Sequence, residues 1–427
     1  MATEFGIALL GAGTVGAAVA RELREHADRL AARSGGPLVL RRVAERDPAR
    51  VRALHLGRVA VDSDARSAVA APDVDIVVEL LGGLEPAGAL METAIGRGLG
   101  VVTANKAVIA SSGHRLAAAI RPGSGGLAFE AAAGAAIPVL AMLRDSLRGD
   151  EVQRITAVIN GTTNHILGRL EAGDTFDRAV ADAQERGYAE ADPSNDLDGH
   201  DAAQKLCILA WFAMGAEVTT GQVLRRGIRE IGPVDVSAAR RMGGVIRLVA
   251  TAERTAAGLS LTVQPTLVPR PGHPLAEVEG ADNAILVESD LAGRLLLRGP
   301  GAGANAAASA VLSDIVAVAR ARREGGVVPL PSAAPVPVLD AEVSRSEVWL
   351  RLRLAGGEDG AAGAVRRTLQ QGGVTVERTT AGVEEGEMAV LTGPTSRAAL
   401  ARALQALHAL GSPASVTQTL DRLEVVA

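Results

Sequence analysis

Phe5-Gly6-Ile7-Ala8-Leu9-Leu10-Gly11-Ala12-Gly13-Thr14-Val15-Gly16 is a short apolar run that breaks into three spaced glycines. The six residues before Gly11 read as a buried strand, and a long helical stretch follows from Ala17 to about Arg33. In such a turn the first glycine permits the tight bend. The second lets the backbone approach a pyrophosphate, and the third allows close helix packing. The N-terminus of the following helix then faces the negative phosphates. A bare GxGxxG carries little weight in a chain with 49 glycines. The strand before it and the helix after it supply the context that a dinucleotide turn requires.

Working outward, the next strand runs from Leu38 to Ala44 and ends at Glu45-Arg46-Asp47. Further strands are expected at Asp75–Leu80, Val101–Thr103 and Leu127–Glu130, separated by helix-like stretches such as Ala87–Arg97 and Gly113–Ile120. That alternation predicts an α/β fold with a Rossmann-type, doubly wound parallel sheet. The end of the second strand meets the adenosine ribose in such folds, where an acid favours NAD and an arginine accommodates the phosphate of NADP. Glu45 and Arg46 stand side by side there, so both readings stay open.

After Pro138 the pattern changes to an α+β substrate and dimerisation domain. It has a helix at Val139–Arg148, a strand at Val152–Ile159, two helices about an acidic segment, and strands within Gly243–Val268, Ala284–Glu288 and Leu295–Leu297. Residues 299–322 form a glycine-rich turn and a helix through Arg320 that is expected to pack back on the first domain. The divisions are 1–138 (with 299–322), 139–298, a linker at 329–341 and a final unit at 342–427. The linker has four prolines in thirteen positions. The final unit reads as βαββαβ: strand Val348–Leu354, helix Ala362–Gln371, strands Val374–Thr379 and Glu387–Thr392, helix Ser396–Leu410 and strand Val416–Val426.

Composition limits the remaining possibilities. The chain has 427 residues, 48% of them hydrophobic and only 2% aromatic. Its core must therefore be built from Ala, Val, Leu and Ile, which suits sheets covered by helices. The net charge of −5 comes without a basic stripe, so no nucleic-acid surface is expected. No apolar run is read as long enough to span a membrane, and no signal peptide is read before the first strand, so a cytoplasmic protein is expected. Cys207, the single cysteine, excludes a disulfide within one chain and reads as a core filler.

The segment Gly187–Lys205 packs five acidic residues and one lysine into nineteen positions before running into apolar Leu206–Met214. Charge at that density beside a buried face is costly unless it is partnered or used. Asp201 and Lys205 are spaced i, i+4 on one helix face. Taken alone, that pair would be a surface ion pair of about 0.3–0.5 kcal/mol. Lysine is scarce, however. Lys106 and Lys205 are the only two, while all the other basic residues are arginine. Lys106 follows Thr103-Ala104-Asn105 at the carboxyl end of a strand, where ligands bind in such sheets. A chain that uses Arg elsewhere and keeps Lys at these places points to a titratable amine and to general acid–base catalysis.

Six blocks resemble homoserine dehydrogenases, in the same order along roughly residues 5–320. They are Gly11–Gly16, Glu79–Pro86, Thr103–Lys106, Asn160-Gly161-Thr162-Thr163-Asn164, Gly187–Lys205 and Gly299-Pro300-Gly301-Ala302-Gly303. The resemblance implies reversible oxidation of L-homoserine to L-aspartate 4-semialdehyde with NADP or NAD, in threonine, methionine and isoleucine biosynthesis. It makes Lys205 the general acid–base and Lys106 its support beside the nicotinamide. Glu190, Asp196 and Asp201 would bind substrate, whose ammonium needs paired charge. Gly11, Gly13, Thr14, Val15, Gly16, Arg46, Lys106 and Gly303 would bind the cofactor. It also implies a structural sodium ion on Glu130 and the carbonyls of Ala133, Ala135 and Ile137.

Ala135 and Ala136 stand where the family commonly has glycine, and His165 replaces an aromatic. The final unit resembles the ACT domain that some members append for amino-acid feedback, implying threonine as an effector. Its usual Asp-x-Pro-Gly turn is replaced by Glu358-Asp359-Gly360-Ala361-Ala362-Gly363. A homodimer or homotetramer is expected. The alternative is a non-catalytic, dehydrogenase-like sensor of nucleotide or amino acid acting through the final unit. Retention of both lysines and all the acids argues against it. A related semialdehyde or amino-acid dehydrogenase would lack the Asp192–Lys205 arrangement.

Overall fold

The structure, a computed structural model, describes residues 3–55, 57–340, 345–354, 358–409 and 414–426. They fall into two compact units, one drawn from 1–152, 204–220 and 288–336, the other from 153–203, 221–287 and 337–427.

In the first unit six strands form a parallel sheet in the order β3-β2-β1-β4-β5-β6. They are β1 (Phe5–Leu10), β2 (Leu38–Ala44), β3 (Ala60–Asp62), β4 (Ile76–Glu79), β5 (Gly100–Thr103) and β6 (Leu127–Ala128). Every residue of β1 is buried, as a central parallel strand covered on both faces requires. Strand order reverses between β1 and β4, the place where ligands bind in doubly wound sheets. The core joins Ile7, Leu9, Val43, Val78 and Val102 to Val311, Ile315 and Val318 of the helix Ala304–Arg323. Each such side chain contributes about 1.5–3 kcal/mol by leaving water. Residues 299–322 thus lie within the first unit.

Several boundaries differ from expectation. The stretch Ala17–Arg33 is two helices, Thr14–Glu25 and Ala27–Ser34, because His26 leaves helical geometry at φ −122°, ψ 30°. The helix expected from Gly113 begins at Lys106, where Asn105 caps it by accepting the Val108 N–H at 3.3 Å. Strand β6 stops at Ala128, and Glu130–Ala132 turns as a 3-10 helix. The expected helix Val139–Arg148 is one turn, Val139–Ala141, widening into a π-helical turn at Met142–Ser146. Helices Pro48–Ala53 and Ala65–Ala70 were not foreseen, although Asp47 and Asp64 cap them. One expectation needs correcting. Among the described residues Ala304–Arg323 is long and apolar enough to cross a membrane by length and composition. It carries buried Asp314 and lines the core of the first unit, so here it is a core helix.

The second unit is built on a mixed sheet. Within this unit its strands follow the order 282–289, 152–158, 244–255, 258–269, 414–422, 345–354, 387–392, 376–381. Gly244–Thr255 and Gly258–Pro269 form an antiparallel hairpin in unbroken register from Gly244↔Pro269 to Thr255↔Gly258. The last eighty-odd residues run strand Arg345–Leu354, helix Glu358–Gln371, strands Val376–Ala381 and Glu387–Thr392, helix Arg397–Ala409, strand Ala414–Arg422. That is the expected βαββαβ order around Val348, Leu350, Val365, Leu369 and Val390. The turn expected at Glu358–Gly363 is the first part of a helix. Leu410, the expected end of the last helix, lies outside the described residues, as do Ala341 and 342–344. Strand Ala414–Arg422 also pairs in parallel with the long hairpin, at Thr266↔Asp421 and Leu267↔Arg422.

Candidate active site

At the glycine turn of the first unit Gly11 has φ +96°, and an added Cβ would lie 2.7 Å from the Leu80 carbonyl oxygen. A Cβ on Gly16 would lie 2.0 Å from the Gly11 oxygen, so the helix rests directly on the turn. Gly13, in contrast, faces open space. It sits at the N-cap of Thr14–Glu25 without a side-chain cap, which leaves the N–H groups of the first turn available to an anion. Thr14 and Val15 are the first two residues of that helix.

A cavity of about 490 Å³ opens here, lined among others by Gly11, Gly13, Glu45, Arg46, Arg50 and Arg66. Glu45 turns inward: its carboxylate accepts the Ala12 N–H at 2.9 Å and the Asp47 N–H at 3.0 Å. Burial pushes its carboxyl up, but the N–H groups of Asp47, Ala12 and Arg46 and the Arg50 guanidinium outweigh that and hold it below the usual range. An open glycine, an uncapped helix start and three guanidinium groups fit a phosphate-bearing dinucleotide. Gly303, at φ +114°, caps the start of helix Ala304–Arg323 in the same unit, also with open space where a side chain would be.

The carboxyl ends of β4 and β5 are tied by a network that the sequence did not disclose. Glu79 is fully buried and accepts N–H groups from Leu81 at 2.8 Å and Gly82 at 3.2 Å, and the Thr103 hydroxyl at 2.6 Å. Thr103 Oγ1 accepts the Asn105 N–H at 2.9 Å, and Asn105 Nδ2 donates to the Gly83 carbonyl at 2.7 Å. Lys106 follows at once as the first residue of its helix, half-buried.

Lys205 belongs to the same unit, half-buried on helix His200–Met214. The far end of that helix is anchored by Trp211, stacked on Phe129 at 5.4 Å and donating from Nε1 to the Pro331 carbonyl at 3.0 Å. Gly113, on the Lys106 helix, lets the Trp211 ring approach: a Cβ there would lie 2.9 Å from Cζ3. The two lysine-bearing helices therefore touch at Gly113 and Trp211.

In the second unit Asn160 joins two of the expected substrate acids. Its Nδ2 donates to Asp196 at 2.7 Å and to buried Asp201 at 2.9 Å. Its Oδ1 accepts the Thr163 N–H at 2.8 Å, capping helix Gly161–Glu171. In the sequence Asn160 stands out only as part of a motif, and nothing there signals its bridging role. Glu190 is exposed, and its carbonyl, with that of Ala191, accepts from Gln184. His165 bonds Asp182 at 2.7 Å and meets the Tyr188 ring edge-on at 5.1 Å. It therefore packs against the start of the acidic segment.

Glu130 is buried, and its carboxylate accepts the N–H groups of Leu140 and Ala141, each at 2.8 Å. Its own N–H donates to Asp314 at 2.8 Å. Burial raises the Glu130 carboxyl, and burial followed by the Glu130 charge raises Asp314 well above its ordinary value. Ala135 adopts φ +49°, the left-handed region in which glycine is at ease. No group of three or more His, Cys, Asp or Glu fit to hold a metal occurs among the described residues. A cation here would rest mostly on backbone oxygens. Two buried carboxyl groups, on which the Arg144 guanidinium also acts, offer the oxygen donors that suit a hard cation.

A doubly wound sheet with an uncapped helix at its glycine turn is the architecture of a dinucleotide-binding protein, and the same unit carries both lysines. Residues 11–130 match the model of the homoserine dehydrogenase NAD-binding domain, and 138–316 match that of homoserine dehydrogenase itself. A homoserine dehydrogenase of Mycobacterium bovis is 39% identical over 98% of this chain and 94% of its own length. One from Corynebacterium glutamicum is 43% identical over 78% of this chain and 76% of its own. The crystal structure of a homoserine dehydrogenase from Thiobacillus denitrificans superposes with a TM-score of 0.93 at 34% identity, covering 99% of both chains. A hyperthermophilic archaeal homoserine dehydrogenase in complex with NADPH superposes with a TM-score of 0.63 at 29% identity, over 74% of this chain and 97% of that one. The chain belongs to the homoserine dehydrogenase family.

Proposed function

We propose that the chain interconverts L-homoserine and L-aspartate 4-semialdehyde, with Lys205 as the general acid–base and NADP(H) as the preferred cofactor. The reading is carried by one observation: the chain's only two lysines are both half-buried in one unit, on helices that touch at Gly113 and Trp211. The dinucleotide supplies the hydride acceptor for the alcohol oxidation. Lys205 Nζ takes the hydroxyl proton as the carbinol carbon loses hydride, and returns it in the reverse direction. Lys106, at the carboxyl end of β5, holds the nicotinamide side in place. Glu190, Asp196 and Asp201 pair with the substrate ammonium, Asn160 keeping the latter two carboxylates together.

Gly11, Gly13, Thr14, Val15, Gly16 and Gly303 hold the dinucleotide. Preference for NADP is supported by Glu45 being engaged with the turn while Arg46, Arg50 and Arg66 line the cavity. The sodium ion would sit on Glu130 and the carbonyls of Ala133, Ala135 and Ile137, with no part in the reaction. The enzyme is read as a cytoplasmic homodimer or homotetramer whose domains follow the divisions given above. Its βαββαβ unit takes a threonine effector. Lys205→Ala is expected to lose about 10²–10⁴-fold in kcat with cofactor affinity unchanged, followed at 340 nm with NADP and with NAD. Turnover near the parent rate would remove Lys205 from the chemistry.

A further inference from the structure

Between the acidic segment and the C-terminal strand lies a short stretch, Leu224–Glu230, held on both sides. Leu224–Arg225 pairs in parallel with Thr262 and Val263, and the Arg226 N–H donates to the Val263 carbonyl at 2.8 Å. On one side the Ile228 N–H donates to the Leu197 carbonyl at 2.8 Å. The contact is close enough to require glycine next door. A Cβ on Gly227 would lie 2.1 Å from the Leu197 oxygen and 2.7 Å from Asp198 Cα. Arg225 also donates to the Asp198 carbonyl, and Arg229 bonds the Asp198 carboxylate at 2.5 Å and Ser194 Oγ at 2.8 Å. Asp196 and Asp201, the acids joined by Asn160, flank these contacts along the chain.

On the other side Arg226 reaches the C-terminal strand. Its guanidinium donates to the Thr419 carbonyl at 2.6 Å and to Gln418 Oε1 at 2.6 Å, and it pairs with Glu230 at 3.0 Å. Gln418 is buried, and its Nε2 returns a bond to the Glu230 carbonyl at 3.4 Å. The strand carrying Gln418 and Thr419 is the one that also pairs with the long hairpin. A shift of that strand must move Arg226, and through the glycine contact it must move Leu197 and Asp198.

We propose that Leu224–Glu230 positions the acidic segment according to the placement of the C-terminal strand, with Arg226 as the positioning residue. The inference deepens the reading of the acidic segment as the homoserine wall and rests on it. It makes substrate affinity, rather than the chemical step, the quantity that the C-terminal unit controls.

The test compares Arg226→Ala, Arg226→Lys, Gln418→Ala, the Arg226→Ala/Gln418→Ala double variant and Asp201→Asn in the full-length enzyme. Each alanine variant is expected to raise the homoserine KM by about tenfold or more, the scale of one hydrogen bond to a charged group. Both kcat and the cofactor KM should stay within about twofold, because a positioning contact for the substrate wall leaves the dinucleotide turn untouched. The double variant should be no worse than Arg226→Ala alone, since both remove one contact, and Arg226→Lys should recover part of the loss. A general weakening of the fold would move all the constants together. An unchanged homoserine KM in Arg226→Ala and Gln418→Ala, with Asp201→Asn raising it, would overturn the coupling and leave the wall intact. An unchanged KM in Asp201→Asn would sink the wall and the coupling with it.

Discussion

At the glycine turn of the first unit the close neighbours are backbone atoms; in the second unit the carboxylates of the acidic segment are held by side chains. Gly16 meets the Gly11 oxygen and Gly11 meets the Leu80 oxygen, so the shape of the turn is set by the absence of side chains. The acids are arranged by Asn160, Arg229 and Arg225, groups that can rotate and be replaced by shorter or longer relatives. A backbone-defined site fails outright when a methyl group is added, whereas a network of side chains degrades by degrees.

Among changes that test this contrast, the largest effect should therefore come from Gly16→Ala. Its Cβ cannot be accommodated without moving the helix off the turn, and overpacking of this kind costs about 1–3 kcal/mol. Expressed at the phosphate site, that is up to about a hundredfold in cofactor Kd, measured by titration of nicotinamide fluorescence. Gly13→Ala is the control that sharpens the contrast, because its Cβ meets nothing within 4 Å. It should leave thermal stability unchanged and weaken only the cofactor. Parent-like cofactor binding in Gly16→Ala would show that the turn is not defined by its backbone.

Asn160→Ala is expected to do less. It removes a helix cap worth about 1–2 kcal/mol and frees Asp196 and Asp201 from each other. The homoserine KM should rise by about tenfold, one to two hydrogen bonds' worth, with the cofactor KM unmoved. Asn160→Asp keeps the cap on Thr163 but sets a third carboxylate against the other two. If it restores stability without restoring the homoserine KM, the bridge and the cap are separate functions of one amide. If both constants recover together, the amide acts on the acids only through the helix.

The same contrast explains what could be read in advance. Strand β1 and the glycine turn are encoded by contiguous residues, and β1 was read with its boundaries intact. The expected start of the Lys106 helix falls late because Ala107-Val108-Ile109-Ala110 shows no polar face, although Asn105 in front of it is an ordinary N-cap signal. Strand Ala60–Asp62 is three partly exposed residues, too few for a period to register. The Asn160 bridge spans 36 and 41 residues of sequence, and the contact of Arg226 with Gln418 spans 192. Such pairings depend on the fold, and a single sequence does not disclose them. The βαββαβ order was legible because each element carries its own pattern; its pairing with the hairpin through Thr266 and Leu267 was not.

The smallest effect concerns a pair that belongs to neither kind of site. Glu130 and Asp314 are both buried, and both carboxyl groups titrate above their ordinary values, first through burial and, for Asp314, next through the charge of Glu130. A raised folded-state value means that the native state binds protons more tightly than the unfolded chain. Stability is then lost as pH climbs from the ordinary carboxylate range toward the raised values. Asp314→Asn keeps an oxygen to accept the Glu130 N–H while removing one of the two charges. It should raise Tm at pH 8 by a few degrees, the response to about 1 kcal/mol, and the gain should shrink toward pH 5. If sodium occupies this place, the parent should gain more from added sodium than the variant at pH 8, because only the parent retains both carboxylates. A parent and variant with parallel Tm profiles from pH 5 to 8 would mean that the buried pair carries no excess charge to relieve.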